Sequence, residues 1–388
     1  MRTKIIAAAV VAAVGCGATP LAYAQAAGGT TVGGTLFFDL SYIRLQNEDA
    51  AGTKVDAPPT GFGLDVKRFY LIVNHRFDDT WAANITTDAQ YSSSSSVNTS
   101  VIIKKLYVEA TVSPAFVVHV GAYDNPWVPF VDGRYGYRYI EKSITDRLGF
   151  ANSADWGINA NGKLGDGMFS YSASVLNGGG YKNPTRTKNV DFEGRISAQP
   201  IDWLLVAAGV YAGHLGQIDA TNQDYPSNTA KRWDALIAAN FSGLRVGVEY
   251  FDAKDFKTVN NTTDAVFGTS AVVASSATSP LPSDRAAGVS AWASFSFNKE
   301  WSVFARYDDA KLSKDVAPNL KDQYANAGVA YEPVKPLDIA LVYKYEKVSN
   351  GSYKISAGNA NNSYLIGGAN AMTSGTFNEF GVYLQYKF

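Results

Sequence analysis

Apolar and polar side chains alternate through the stretch Trp81-Ala82-Ala83-Asn84-Ile85-Thr86-Thr87-Asp88-Ala89-Gln90-Tyr91. Every second residue from Asn84 onward is polar, so one face of this stretch carries Asn84, Thr86, Asp88 and Gln90. Because successive side chains of a β-strand point to opposite faces, a period of two predicts a strand with one apolar and one polar face. The same alternation recurs at 105–112, 232–241, 301–308, 337–346 and 379–388.

Short turns and long polar loops alternate along the chain. We count seven short turns and eight long loops, the first of the long ones near 47–60, which together separate sixteen strands. All the long loops therefore fall at one end of the sheet. This asymmetry is typical of outer-membrane barrels, which have short periplasmic turns and longer extracellular loops. The sequence predicts an all-β chain forming a single 16-stranded antiparallel transmembrane β-barrel, with its first strand from Leu36. A soluble sandwich also alternates, but it rarely combines so many strands with long loops at one end.

The overall composition agrees with a β-protein and excludes several classes. Of 388 residues, 46% are hydrophobic, 13% aromatic and only 18% charged, and the net charge is −1. The apolar content excludes a disordered chain, and the charge gives no support to a nucleic-acid partner. The single Cys cannot form an internal disulfide or a Cys-based metal site.

The first 24 residues have the order of a secretory signal. Arg2 and Lys4 precede an apolar core at 5–14, and Ala22-Tyr23-Ala24 has the small residues of a cleavage site. A membrane-spanning helix fits poorly, because the core is short and is followed by Gly and Pro. We expect residues 1–24 to be a cleaved signal peptide and 25–388 to be the barrel, exported to the bacterial outer membrane.

The chain ends inside an alternating stretch. Apolar side chains occupy every second position from Phe380 to the last residue, Phe388. This ending resembles the terminal strand of bacterial outer-membrane barrels. The resemblance implies that Phe388 is an insertion signal for the barrel-assembly machinery.

Several short stretches resemble a known family. They are the stretches at 121–127, 137–143, 146–149, 153–157 and 175–181, which read GAYDNPW, YRYIEKS, DRLG, SADWG and VLNGGGY. The chain resembles Gram-negative porins, in particular the phosphate-selective porin O/P family, and the specific part of the likeness covers about 68–200. The family implies a sixteen-stranded barrel, a homotrimer and a third long loop folded into the lumen. Independently, our count makes 124–154 the third long loop.

The third loop is the candidate constriction of the pore. Its predicted constriction residues are Trp127, Arg134, Tyr135, Tyr137, Arg138, Tyr139, Lys142 and Arg147. In a narrow pore a few fixed charges decide which ions pass, and Arg and Lys favour anions. The alternative is that the charges of this loop neutralise one another and hold it against the wall.

Alternation also predicts the residues that line the pore. They are Arg68, Asp88, Lys105, Glu109, His119, Arg195, Arg232, Arg245, Glu249 and Arg306. Anion-selective members of the family line the pore mainly with Arg and Lys, whereas both signs occur here. This mixture puts phosphate specificity in doubt but not the channel.

These features predict an outer-membrane porin, a water-filled channel for passive diffusion of small polar or anionic solutes such as ions and phosphate-like anions. The alternative is a substrate-specific channel for sugars or for aromatic or organic acids. A plugged, structural barrel is a third possibility. The three His residues have no adjacent nucleophile motif, so no enzyme is predicted, and neither a cofactor nor a metal is expected. Expected partners are the lipid bilayer with its lipopolysaccharide, the assembly machinery, two further copies of the chain and small solutes.

Overall fold

A computed structural model describes residues 28–91, 99–184, 186–216, 229–256, 283–356, 363–367 and 372–388. The predicted signal peptide and most of the predicted loops at 92–100, 213–230 and 254–285 lie outside the described residues. The strands are β1 (Gly29–Asp49), β2 (Lys54–Arg76), β3 (Trp81–Tyr91), β4 (Thr99–Ser113), β5 (Phe116–Asp124), β6 (Ala154–Leu164), β7 (Phe169–Leu176), β8 (Asp191–Ile201), β9 (Leu204–Gly213), β10 (Ala230–Phe241), β11 (Leu244–Lys254), β12 (Arg285–Ser296), β13 (Trp301–Lys311), β14 (Lys321–Val334), β15 (Leu337–Ser349), β16 (Tyr353–Ser356), β17 (Ser363–Ile366) and β18 (Met372–Lys387). Two helices, α1 (Val128–Tyr135) and α2 (Ile144–Arg147), lie between β5 and β6.

Sixteen of the described strands close into one antiparallel barrel. Neighbours in sequence pair with each other, β15 pairs with β18, and β18 pairs with β1 to complete the ring. The two remaining strands, β16 and β17, form a separate hairpin in the connection from β15 to β18. The prediction of a single 16-stranded antiparallel barrel is confirmed. A closed sheet pairs its backbone groups on both sides of every strand, which lipid requires.

The two faces of the wall differ in chemistry as the alternation predicts. Outward side chains such as Ile196, Trp233 and Phe380 are large and apolar, and they are 67%, 49% and 54% exposed. Inward side chains such as Asp88 and Asp308 are charged and fully buried. A soluble protein buries its apolar side chains and exposes its polar ones, whereas this barrel does the reverse. Such an arrangement suits a lipid environment.

Two strand limits differ from the sequence prediction. β1 begins at Gly29 rather than at Leu36, and the long loop expected at 47–60 is only a turn at 50–53. The polar composition predicts a loop, but β1 and β2 stay paired as far as Glu48 and Lys54. An ion pair of 3.2 Å between Arg44 and Asp56 crosses this extension. The hairpin therefore continues past the apolar part of the wall, because charged cross-strand pairs replace the apolar ones.

Among the register shifts of the described strands, two β-bulges change the faces of lysine side chains. The pairing of β2 with β1 shifts at Lys67, and the pairing of β4 with β3 shifts at Lys104. A bulge inserts one residue and turns it out of the period of two. As a result the consecutive Lys67 and Arg68 are both buried, and Lys104 donates to the Tyr70 hydroxyl at 3.1 Å. The period of two assigns only Arg68 and Lys105 to the interior, so it misses Lys67 and Lys104.

The last residue completes the seam of the barrel. The Gly34 amide donates to the Phe388 carbonyl at 2.9 Å, and the Phe388 amide donates to the Gly34 carbonyl at 3.1 Å. The Phe388 ring lies over Gly34, where an added Cβ would be 2.4 Å from the ring carbon Cζ. Only a residue without a side chain leaves room for the ring.

We expect Gly34→Val to weaken closure of the barrel, because overpacking of this kind costs about 1–3 kcal/mol. The measurement is the temperature at which the purified barrel loses its heat-modifiable band in detergent. Gly63→Val is the matched control, since nothing lies within 4 Å of a Cβ at Gly63. Equal temperatures for the two variants would contradict this role of the Gly34 site.

Candidate functional site

The connection from β5 to β6, residues 125–153, folds into the barrel; we call it the third loop. Its apolar side chains pack on the inner wall: Val131 and Ile140 join a buried cluster with Trp292 and Phe304. A second cluster contains Ile144, Leu148 and Phe150 of the loop together with Phe251. The loop thus lies against one side of the lumen, formed chiefly by strands β10 to β15, with further contacts to Gly209 of β9 and Phe37 of β1.

The start and the second helix of the third loop meet at one buried carboxylate. The Trp127 indole N–H donates to Glu249 Oε1 at 2.9 Å, and the Thr145 hydroxyl donates to the same oxygen at 3.2 Å. Both Trp127 and Glu249 are fully buried. Gly209 makes room for the indole, because a Cβ there would be 2.6 Å from its ring.

The strongest attachment of the third loop is at Arg147. Its guanidinium donates to Asp308 at 3.2 Å, to Asp322 at 2.6 Å and to Glu346 at 2.5 Å. These carboxylates come from β13, β14 and β15, and the guanidinium also lies 4.5 Å from the centre of the Tyr324 ring. Charge-assisted hydrogen bonds from all sides of one guanidinium make this a rigid attachment.

Further cations of the wall hold backbone carbonyls of the loop. Lys344 donates to the Ile140 carbonyl at 2.9 Å, and Arg306 donates to the Lys142 carbonyl at 2.5 Å. Arg232 donates to the Phe150 carbonyl at 2.5 Å, and Arg245 donates to that of Tyr135 at 3.5 Å. Arg232, Arg245, Glu249 and Arg306, all predicted to line the pore, therefore lie against the third loop.

The tyrosines of the third loop also face the wall. The Tyr137 hydroxyl is 3.1 Å from the Ser302 hydroxyl, and its ring stacks on Phe304. Tyr135 accepts a hydrogen bond from Asn326 at 3.2 Å, and Tyr139 lies beside Phe37. Trp127, Tyr135, Tyr139 and Arg147 are each at most 3% exposed. Little of their surface is left for a solute to touch.

The other side of the third loop carries charges toward β2, β3 and β4. Arg138 pairs with Asp132 at 2.8 Å and lies 3.7 Å from Asp146, which also pairs with Lys142 at 3.5 Å. Burial opposes ionisation of Asp146, but the positive charges of Lys142, Arg138, Arg68 and Lys104 together hold the pKa of its carboxyl below the usual value. Arg138 and Lys142 of the loop thus lie in the same region as Arg68 and Lys104 of the wall, around Asp146.

On the wall itself, Arg68 is bound to Asp88 at 2.6 Å, and the Tyr181 hydroxyl donates to the same carboxylate at 3.0 Å. Both strand residues are buried. Tyr181 comes from the connection between β7 and β8, and it brings that connection against the same cations.

Two arginines enclose an aromatic ring at the first helix. The guanidinium carbons of Arg195 and Arg134 lie 3.8 Å and 4.9 Å from the centre of the Phe130 ring. Arg195 donates to the Pro126 carbonyl and to the hydroxyls of Ser170 and Ser197. These hydrogen-bond partners of Arg195 are all neutral, so they leave its charge uncompensated.

The remaining residues predicted to line the pore are Lys105, Glu109 and His119. They take part in two side-chain pairs between β4 and β5. Lys105 pairs with Asp124 at 2.5 Å. His119 Nε2 is 3.0 Å from Glu109, and its ring stacks on Tyr123 at 3.7 Å. Both pairs join the neighbouring strands β4 and β5, so they brace the wall of the barrel.

A cavity of about 380 Å³ opens between the third loop and the connection from β7 to β8. Arg68, Lys142 and Lys182 are among its lining residues. Burial and the nearby charge of Arg68 lower the pKa of Lys182 to about 8. Nothing in the sequence period signals Lys182 or Tyr181, because both lie in a connection whose path depends on the fold.

Within the described residues, no group of three or more His, Cys, Asp or Glu side chains is arranged to hold a metal ion. A search of the same residues finds no helix with the length and apolar character needed to cross a membrane.

Solved structures provide the comparison with known proteins. No family model matches the chain, and no curated protein sequence matches it. The anion-selective porin from Comamonas acidovorans superposes with a TM-score of 0.61 at 14% identity, over 92% of this chain and 100% of that chain. OmpT of Vibrio cholerae, an outer membrane protein in trimer form, gives 0.58 at 13% identity, over 94% and 100%. The outer membrane channel DcaP of Acinetobacter baumannii gives 0.57 at 13% identity, over 92% and 99%. The chain therefore has the fold of porin-like outer-membrane channels.

We expect Arg147→Gln to release the third loop, since removing one partner of a buried ion pair costs about 3–5 kcal/mol. The measurement is trypsin cleavage at Arg134, Arg138 and Lys142 in the folded barrel. Arg285→Gln is the control, because Arg285 is 45% exposed in its pair with Asp252 and such pairs contribute about 0–1 kcal/mol. Protection equal to that of the wild type would show that the three carboxylates do not hold the loop.

Proposed function

We propose that the chain is an outer-membrane porin, a channel for passive diffusion of small polar or anionic solutes. The observation that carries the proposal is the position of the third loop. It is attached chiefly to the β10–β15 side, so the proposed passage lies between the loop and the β2–β7 side, next to Arg195 of β8. A sixteen-stranded barrel is wide enough to leave an aqueous channel.

The charges along this passage favour anions. We call its cations the basic side: Arg68, Lys104, Arg134, Arg138, Lys142, Lys182 and Arg195. The carboxylates in the same region are Asp88, Asp132, Asp146, Asp155 and Glu193, the last of which is bound by Arg232. A cleft with an excess of one sign raises the local concentration of ions of the opposite sign. The pore filter is accordingly assigned to Arg134, Arg138, Lys142 and Arg195 rather than to the anchored Trp127 and Arg147.

The location and the partners belong to the same proposal. The outward apolar face suits a bilayer with its lipopolysaccharide, and the predicted signal peptide would direct export. A homotrimer, and recognition of Phe388 by the barrel-assembly machinery, follow from the family that the sequence resembles. The similar structures are described as porins and channels, in keeping with a protein that is not an enzyme.

A channel specific for sugars or for aromatic or organic acids is the second candidate. The placement of Phe130 between Arg134 and Arg195 favours it, because an aromatic acid would find a ring face and positive charge together. Saturation of the current by such an acid would separate this candidate from a general pore.

The first test is the zero-current potential of the purified protein in a planar bilayer across a KCl gradient. We expect chloride preference, and we expect Arg134→Ala with Arg138→Ala to shift the potential toward potassium. A charge about 4 Å from an ion changes its energy by about 1 kcal/mol in water, so the permeability ratio falls about fivefold. Arg44→Gln, an exposed site paired with Asp56, is the control. An unmoved potential would make both guanidinium groups structural, and a barrel that never conducts would refute the porin.

The pKa of Lys182 predicts a pH effect. Because this pKa is about 8, the ammonium is charged below that pH and neutral above it. Chloride preference should therefore decrease as the pH rises through 8, and Lys182→Gln should remove this step. The measurement is the zero-current potential from pH 6 to about 10. A step that survives in Lys182→Gln would assign it to another group.

A further inference from the structure

The cavity of about 380 Å³ has the size of a small-molecule site, for which about 300–1,000 Å³ is usual. The third loop contributes Asn125, Lys142 and Asn152 to its lining. The connection from β7 to β8 contributes residues 178–182, and β2 contributes Arg68. The cavity is thus built from parts of the chain that only the folded barrel brings together.

Two polar atoms in the lining residues lack a hydrogen-bond partner in the described part of the chain. They are Arg68 Nε, a donor, and Asn125 Oδ1, an acceptor. The two side chains are 5% and 4% exposed. Buried polar groups are nearly always hydrogen-bonded, so a free donor and a free acceptor in two residues that line the same cavity are consistent with a ligand that carries both complements.

The carboxylates around the cavity already have partners. Asp146 pairs with Lys142, and Glu193 pairs with Arg232 at 2.9 Å. Asp155 accepts the amides of Trp156 at 2.7 Å and Gly180 at 3.0 Å. A ligand cation would have to displace these contacts, whereas an anion at Arg68 Nε leaves the contact between Arg68 Nη1 and Asp88 in place.

The lining also holds aromatic surface and positive charge. Tyr181, Tyr211 and Phe256 belong to the lining beside the polar groups. The lowered pKa of Lys182 reflects burial and the positive charge of Arg68, which an anion in the cavity would offset. A flexible apolar acid would use the charge but not the Asn125 acceptor.

We infer that this cavity is a binding subsite for small polyhydroxylated carboxylates of the sugar-acid type, with the carboxylate at Arg68 and a hydroxyl donating to Asn125. The inference deepens the proposed porin function and rests on it, because solutes reach the cavity through the lumen. Binding must remain weak, since a solute that stays would block diffusion.

The test compares gluconate, glucose and hexanoate, which share six carbons. Binding to the full-length barrel in detergent is measured by isothermal titration, and the block of KCl current is measured in bilayers. We expect saturable binding and block by gluconate, weaker effects of hexanoate and none of glucose. Titration in detergent does not depend on conduction, so the two proposals can fail separately.

Two variants divide the contacts. Asn125→Ala should weaken gluconate about fivefold and leave hexanoate unchanged, because only gluconate carries a hydroxyl for this acceptor. Lys182→Gln should weaken both acids equally. Lys188→Gln removes the same charge from the same connection outside the lining residues, and it is the control.

Each contrary result has one meaning. Equal binding of hexanoate and gluconate would refute the hydroxyl contact and reduce the site to attraction of any anion. Conduction without saturable binding of gluconate would refute the binding subsite, and the porin proposal would still stand. Binding without conduction would refute the porin and leave the cavity as a sugar-acid site. Unchanged gluconate binding in Asn125→Ala would place the site elsewhere.

Discussion

The position of the third loop depends on one ionic interaction, the guanidinium of Arg147 held by Asp308, Asp322 and Glu346. An isolated charge would not be stable in this buried place, and neither would the three carboxylates without it. The interaction therefore works only when the loop is inside the barrel and strands β13 to β15 are in register. Closure of the sheet and the path of the loop support each other.

This attachment divides the charges of the lumen into two groups. On the anchored side, arginines bind carboxylates and carbonyls of the protein, as Arg306 does with Asp308 and the Lys142 carbonyl. On the other side, Arg195 has neutral hydrogen-bond partners and borders the proposed passage. Arginine thus stabilises the fold in one place and, in the proposed channel, is available to solutes in the other. The local count of carboxylates decides between these roles, and the net charge of the chain does not.

Much of the fold follows from the sequence because the period of two extends over nearly every strand. It predicts the strand number, the short turns and the position of the third loop between β5 and β6. The bulges at Lys67 and Lys104 escape it, since a bulge changes the face of one residue without changing the composition. The partners of Arg147 also escape it, because Glu346 lies 199 residues away in sequence. The sequence gives a set of candidate charged residues. Only the register of the paired strands shows which of them anchor the third loop and which are left for the proposed pore.

The attachment also explains why the open side can keep an excess of cations. Each cation on the loop's free face lies near others, as Arg138, Lys142, Arg68 and Lys104 do around Asp146. Their mutual repulsion would move a mobile loop away from the wall of β2–β4. Because Arg147, Trp127 and Lys344 hold the loop from the opposite side, it can carry these charges without moving. In the proposed channel, an anion passing between these cations would lower their mutual repulsion, so the anchors would supply the rigidity on which the proposed selectivity depends.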